Sequence, residues 1–80
     1  MSNQTQTDIQ WVSELVAGEW VRSGVRTLER LYQLADDRAA NRNLPAVMVR
    51  STALNHLRER VPDILPTEMQ PPQHTPSQKP

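Results

Sequence analysis

Apolar positions fall into two stretches of helical periodicity, one over residues 8–42 and one over 43–61. A polar segment, MSNQTQT, precedes them, and residues 62–80 follow with six of the seven prolines. Thr7 stands three residues before Gln10, with Asp8 next to it, which is the pattern of a capping box at a helix N-terminus. No proline interrupts the chain from there to Pro45, and the first helix is predicted over 8–41. The second is predicted over 45–61. Pro45 fits its first turn, where a missing N–H is harmless. Pro62 ends it, because the residue before a proline is pushed out of helical geometry. The short link between the two favours an antiparallel hairpin. The weak point is Ser23-Gly24: a glycine inside a helix costs about 1 kcal/mol relative to alanine, and a break there gives three short helices. The expectation is an all-α protein: a helical hairpin domain over 8–61, built of one long and one short helix. It is flanked by a disordered N-terminal tail over 1–7 and a disordered Pro/Gln-rich tail over 62–80.

Projection at about 100° per residue widens the picture. Val21, Trp11, Tyr32, Leu28, Ala39 and Ala35 group within about 80° of Val25. Leu31, Trp20, Ile9, Leu34 and Val16 continue the arc to about 180°, wider than the arc a helix needs to cover one surface. Trp11 and Trp20 are nine residues apart and point in opposite directions on a straight helix. One of them must meet something other than the intrachain partner, or be exposed. Length argues the same way. A helix over 8–41 is roughly 50 Å long and one over 45–61 roughly 25 Å, which leaves the segment from Ile9 to Val21 uncovered. So dense an apolar patch marks an interface. A second copy, giving a four-helix assembly, is the favoured cover because two-fold dimers are the commonest oligomers. A different protein or a fold-back at Gly24 are the alternatives. The 4-3-4-3-4 spacing of Val21, Val25, Leu28, Tyr32, Ala35 and Ala39 is a short seam suited to bundle packing. Arg50 falls in the middle of the apolar face of the second helix. Either it snorkels to solvent or it pairs with an acid across an interface.

Composition narrows the function classes. The chain has 80 residues, no Cys, and nine basic residues against nine acidic ones. So small a chain without disulfides or thiolate ligands usually needs self-association for stability. Zero net charge disfavours both a nucleic-acid binder and an acidic DNA mimic. No apolar run approaches the length of a membrane helix, and the polar start does not read as a secretory signal. The expected location is the cytoplasm, with no membrane partner.

No constellation carries chemistry. Two histidines, His56 and His74, cannot form a metal site without carboxylates close by; only Arg58, Glu59 and Arg60 stand near His56 in sequence, and no base–nucleophile pair or phosphate loop is identifiable. The Asp36-Asp37 carboxylates point about 100° apart. Catalytic, cofactor and metal sites are therefore expected to be none, and an enzyme is not expected. Arg22, Arg26 and Arg30 form a stripe that Glu19, Glu29 and Asp37 neutralise. The tail lacks the PxxP spacing that proline-reading grooves need; its apolar residues Ile64, Leu65 and Met69 are the only candidate docking peptide there.

The function expected from these features is a small non-enzymatic regulator that binds and occludes another protein. It would act as an inhibitor, anti-activator or adaptor of the sort small phage or plasmid accessory genes encode. The partner or dimer interface is expected to use Trp11, Leu15, Val16, Trp20, Val21, Val25, Leu28 and Tyr32, with Arg22, Arg26 and Arg30 as its polar rim. The alternative is a dimeric DNA-binding regulator reading through the basic helix 46–60 with Arg50, Asn55, Arg58 and Arg60.

Overall fold

The computed structural model describes residues 3–71 and is all-helical among them. Three α-helices, α1 (Asn3–Ser23), α2 (Leu28–Asn41) and α3 (Ala46–Arg60), are followed by two single-turn 3₁₀ segments, Pro62–Ile64 and Thr67–Met69. The continuous helix expected over 8–41 is thus two helices. Gly24 takes a φ of +77°, a left-handed conformation that glycine adopts without a Cβ penalty. The hydroxyl of Ser23 donates to the carbonyl of Trp20 at 2.8 Å and accepts from the N–H of Val25 at 3.2 Å, which holds the turn. Thr27, in extended conformation, then opens α2 as its N-cap by accepting from the N–H of Arg30 at 3.1 Å.

The other boundaries follow their local signals. α2 ends in a Schellman motif. Leu44 N–H donates to the carbonyl of Ala39 at 2.8 Å and Asn43 N–H to that of Ala40 at 3.2 Å. Asn43 takes the left-handed position with φ +58°. Pro45 caps α3 and Pro62 follows it closely. α1 starts at Asn3, so Thr7 lies inside the helix and the first described residues are not a tail. Once a helix is nucleated, each added residue gains a hydrogen bond, and no Gly or Pro before Ile9 stops it running backwards.

The three helices pack as an up-down-up bundle. Ser13 of α1 donates to the carbonyl of Val49 of α3 at 3.4 Å, and Val21 shares a surface depression with Val61, so α1 and α3 run the same way. The core is Ile9, Val12, Val16, Ala17 and Trp20 from α1, Leu31, Ala35 and Ala39 from α2, and Val49, Ala53 and Leu57 from α3. Ala17, Ala35, Ala39 and Ala53 let the helices approach closely.

The segment after α3 is not a free tail over its described part. Leu65 and Met69 are buried with the core. The Arg58 guanidinium donates from Nε to the carbonyl of Met69 at 2.8 Å and from Nη2 to that of Gln70 at 3.4 Å. Leu28 N–H donates to the Glu68 carboxylate at 3.3 Å, placing an anion at the start of α2 where the helix dipole favours it. Residues 62–71 thus strap the Gly24 end of the bundle. The rest of the tail, 72–80, and Met1 and Ser2 lie outside the described residues.

These features remove the length argument for a four-helix dimer. Most of the apolar segment of α1 is covered by the fold-back at Gly24, α3 and the strap, all from the same chain. No helix among the described residues is long and apolar enough to cross a membrane.

Candidate functional site

The two tryptophans of α1 resolve in opposite ways, as their angular separation requires. Trp20 is 0% exposed, and its indole N–H donates to the carbonyl of Thr27 at 2.9 Å. Trp11 is 48% exposed on the outer side of α1. Leu15, one turn further on, is 43% exposed beside it. The guanidinium of Arg42, at the C-terminal end of α2, lies 4.5 Å from the centre of the Trp11 ring, a cation–π contact. These three side chains form an apolar face with a cationic edge.

Two depressions border that face. A cleft of about 260 Å³ between α1 and α2 is lined by Val12, Leu15, Glu19, Arg22, Arg38 and Arg42, with Asn41. A shallower one lies against Gln10, Trp11 and Glu14 on the other side. Arg38 grips Glu19 in a bidentate pair, its Nε donating at 3.0 Å and its Nη2 also in contact. The hydrogen bond from Arg38 holds the Glu19 carboxyl below its usual range, and the fields of Arg38 and Arg22 add to this. Glu19 is therefore a fixed negative charge inside an arginine-rich cleft, and it ties the edge of α2 to α1. Gln10 donates to Glu14 at 2.9 Å on the far side.

The remaining expected interface residues are dispersed. Val16 is buried in the core with Trp20, so neither is available to a partner without unfolding α1 from the bundle. Val21 is half-buried against α3 near Leu57 and Val61. Val25 is exposed in the turn, Leu28 is half-buried at the start of α2, and Tyr32 is half-buried under the Arg50 guanidinium at 4.6 Å. The seam from Val21 to Ala39 does not exist as one line, because the turn at Gly24 cuts it. The arginine stripe is cut likewise. Arg22 stays on α1, Arg26 sits in the turn 5.9 Å from the Trp20 ring, and Arg30 is on α2.

Two of the four residues of the alternative DNA surface are engaged within the chain. Arg50 pairs with Asp36 of α2 through two hydrogen bonds, of 2.7 and 2.6 Å. The acid that Arg50 needs is therefore intramolecular, and its hydrogen bond lowers the Asp36 carboxyl below its usual range. Arg58 holds the strap, while Asn55 and Arg60 are exposed.

Sequence reasoning missed Arg42, Arg38 and Glu19 as members of the site. Each lies on the polar side of its helix, and only the fold-back brings α2 alongside Trp11. Among the described residues no three or more His, Asp or Glu side chains gather where a metal could sit, and every buried side-chain nitrogen or oxygen has a hydrogen-bond partner. No protein-family model matches the chain, and neither does any curated protein or solved structure.

Proposed function

We propose that the protein is a small non-catalytic binding module that attaches to another protein through the Trp11–Leu15–Arg42 face and acts by covering part of it. The observation that carries this reading is the exposure of Trp11 and Leu15 together, flanked by arginines, on a chain that otherwise buries its large side chains from α1 well. Trp and Arg are the residue types enriched at binding hot spots, and a rigid helix offers them with little entropy to lose. The Arg38–Glu19 pair and the Arg42 stacking hold the edge of the face in one arrangement before any partner arrives.

The test is affinity capture from the native host with the wild-type chain and with the double variant Trp11→Ala, Leu15→Ala. Both substitutions lie on the outer surface, so the variant keeps its circular dichroism spectrum and unfolds cooperatively. The expected result is a protein retained by wild type and lost by the variant. The same proteins retained equally by both would overturn the reading.

A further inference from the structure

The outer surface of α1 contains a line of residues that lie outside the buried core, although Leu15 and Arg22 also line the α1–α2 cleft and Gly18 borders α3. Asp8, Trp11, Leu15, Gly18 and Arg22 are separated by three, four, three and four positions. That is the spacing of a seam along which two helices meet. At about 100° per residue all five fall within an arc of about 80°. The buried residues Ile9, Val12, Ser13, Val16, Ala17 and Trp20 occupy the opposite side. The seam runs for about 21 Å.

The order of side chains along this seam is an acid, a large aromatic, a leucine, a glycine and a base. Reversed, it is its own complement. With two copies of α1 laid antiparallel about a two-fold axis near Leu15, the indole of Trp11 lies over the partner's Gly18. Asp8 then meets the partner's Arg22, and the two leucines meet near the axis. A parallel arrangement sets Trp11 against Trp11 and Arg22 against Arg22. The structure adds a detail that sequence alone lacks. A Cβ built at Gly18 would come 3.3 Å from Nη1 of Arg22 and no other side chain crowds it, so that guanidinium lies over the glycine in the single chain. When Arg22 swings out to an acid on a second copy, it uncovers the space that an indole needs.

We infer that the Trp11–Leu15 face is closed by a second copy of this chain, through an antiparallel α1–α1 contact in which Asp8 pairs with the partner's Arg22 and Trp11 covers the partner's Gly18. The inference rests on the reading of this face as a protein-docking surface and names one occupant of it. Charge order and side-chain size along the seam select that occupant. Self-association and capture of a foreign partner then compete for one face, so the dimer acts as a reserve that hides it.

Sedimentation of the chain from micromolar to millimolar concentration tests this, with circular dichroism as the check that each variant is folded. Wild type is expected to form a reversible dimer. Asp8→Arg and Arg22→Asp should each raise the concentration for half-dimerisation at least about tenfold by setting like charges opposite one another. An equimolar mixture of the two variants should recover dimerisation as a mixed pair, since the arginine introduced in one chain then faces the aspartate introduced in the other. A wild type that stays monomeric at millimolar concentration overturns the inference, as does a dimer indifferent to both substitutions or a mixture that fails to associate. A monomeric chain that still loses a foreign partner on Trp11→Ala, Leu15→Ala sinks the self-association and leaves the docking face standing. A dimer that obeys the charge rule while neither chain retains a foreign protein supports the self-association and removes the foreign partner.

Discussion

Trp11 and Trp20 share a helix and a residue type, yet one lies in the core and the other is about half exposed at the surface. Around Trp20 the molecule supplies everything a buried indole needs. Thr27 accepts its N–H, Arg26 lies over its ring, and Leu57, Leu65 and Met69 are buried in the same core. Around Trp11 the same chain supplies one cation above the ring and no apolar lid. A large aromatic that is covered contributes to stability. One that is uncovered contributes little to it and much to association. The two regions thus divide the labour of α1: its inner side holds the bundle and its outer side remains for a partner.

The most forceful way to break this comparison is to truncate both tryptophans. Trp20→Ala should cost about 3–5 kcal/mol of stability through lost burial and a cavity. Met69→Ala should cost about 2–5 kcal/mol at the same end. Trp11→Ala should change stability by about 1 kcal/mol or less, the scale of an exposed cation–π contact. Urea unfolding measures all three. Comparable losses for Trp11 and Trp20 would mean that the outer face also holds the fold.

The two glycines sharpen the contrast with smaller effects of opposite sign. Gly24→Ala forces a side chain into a left-handed position and should cost about 1–2 kcal/mol. Gly18→Ala lies in the interior of α1, where its Cβ meets only the movable end of Arg22, and should stabilise by up to about 1 kcal/mol. Thermal unfolding of the pair reads both signs, and a destabilising Gly18→Ala would show that the outer seam is packed more tightly than its geometry indicates.

Acid should have the smallest effect. Glu19 and Asp36 are held below their ordinary carboxylate range by hydrogen bonds from Arg38 and Arg50. A depressed folded pKa means stability that is fully present above the unfolded value, about 4. It is lost as pH falls through the folded values. Both pairs are partly exposed, so the loss is modest. The unfolding midpoint of wild type should decline below about pH 4, and Glu19→Gln with Asp36→Asn should flatten that decline. An unchanged slope in the double variant would remove these pairs from the account.

Much of the architecture was legible before any fold was seen. Pro45, Pro62 and the Asn41–Pro45 stretch mark boundaries by local chemistry, and the observed α3 differs from the expected helix by a residue at either end. The angle between the tryptophans required that one of them lack an intrachain cover on a straight helix, though it did not say which. The arginine partners of the site were not legible, because Arg42 reaches Trp11 and Arg38 reaches Glu19 only after α2 doubles back. The point at which the helix restarts after Gly24 was not read from the sequence; Thr27, three positions on, is the residue whose side chain caps α2.

The sequence by itself determined that this chain is helical, where α2 ends and α3 begins and ends, and that α1 carries more apolar surface than one neighbour covers. Those properties rest on interactions within a few residues, such as capping, missing N–H groups and the period of the helix. Whether Gly24 is a tolerated defect or a turn was decided by tertiary structure. Its local cost of about 1 kcal/mol is smaller than the gain from burying Trp20, Val16 and Leu31 against one another. The same holds for the strap. Proline-rich composition describes the average of residues 62–80, but Leu65 and Met69, four positions apart, are enough to seat its first part once a bundle end exists to receive them.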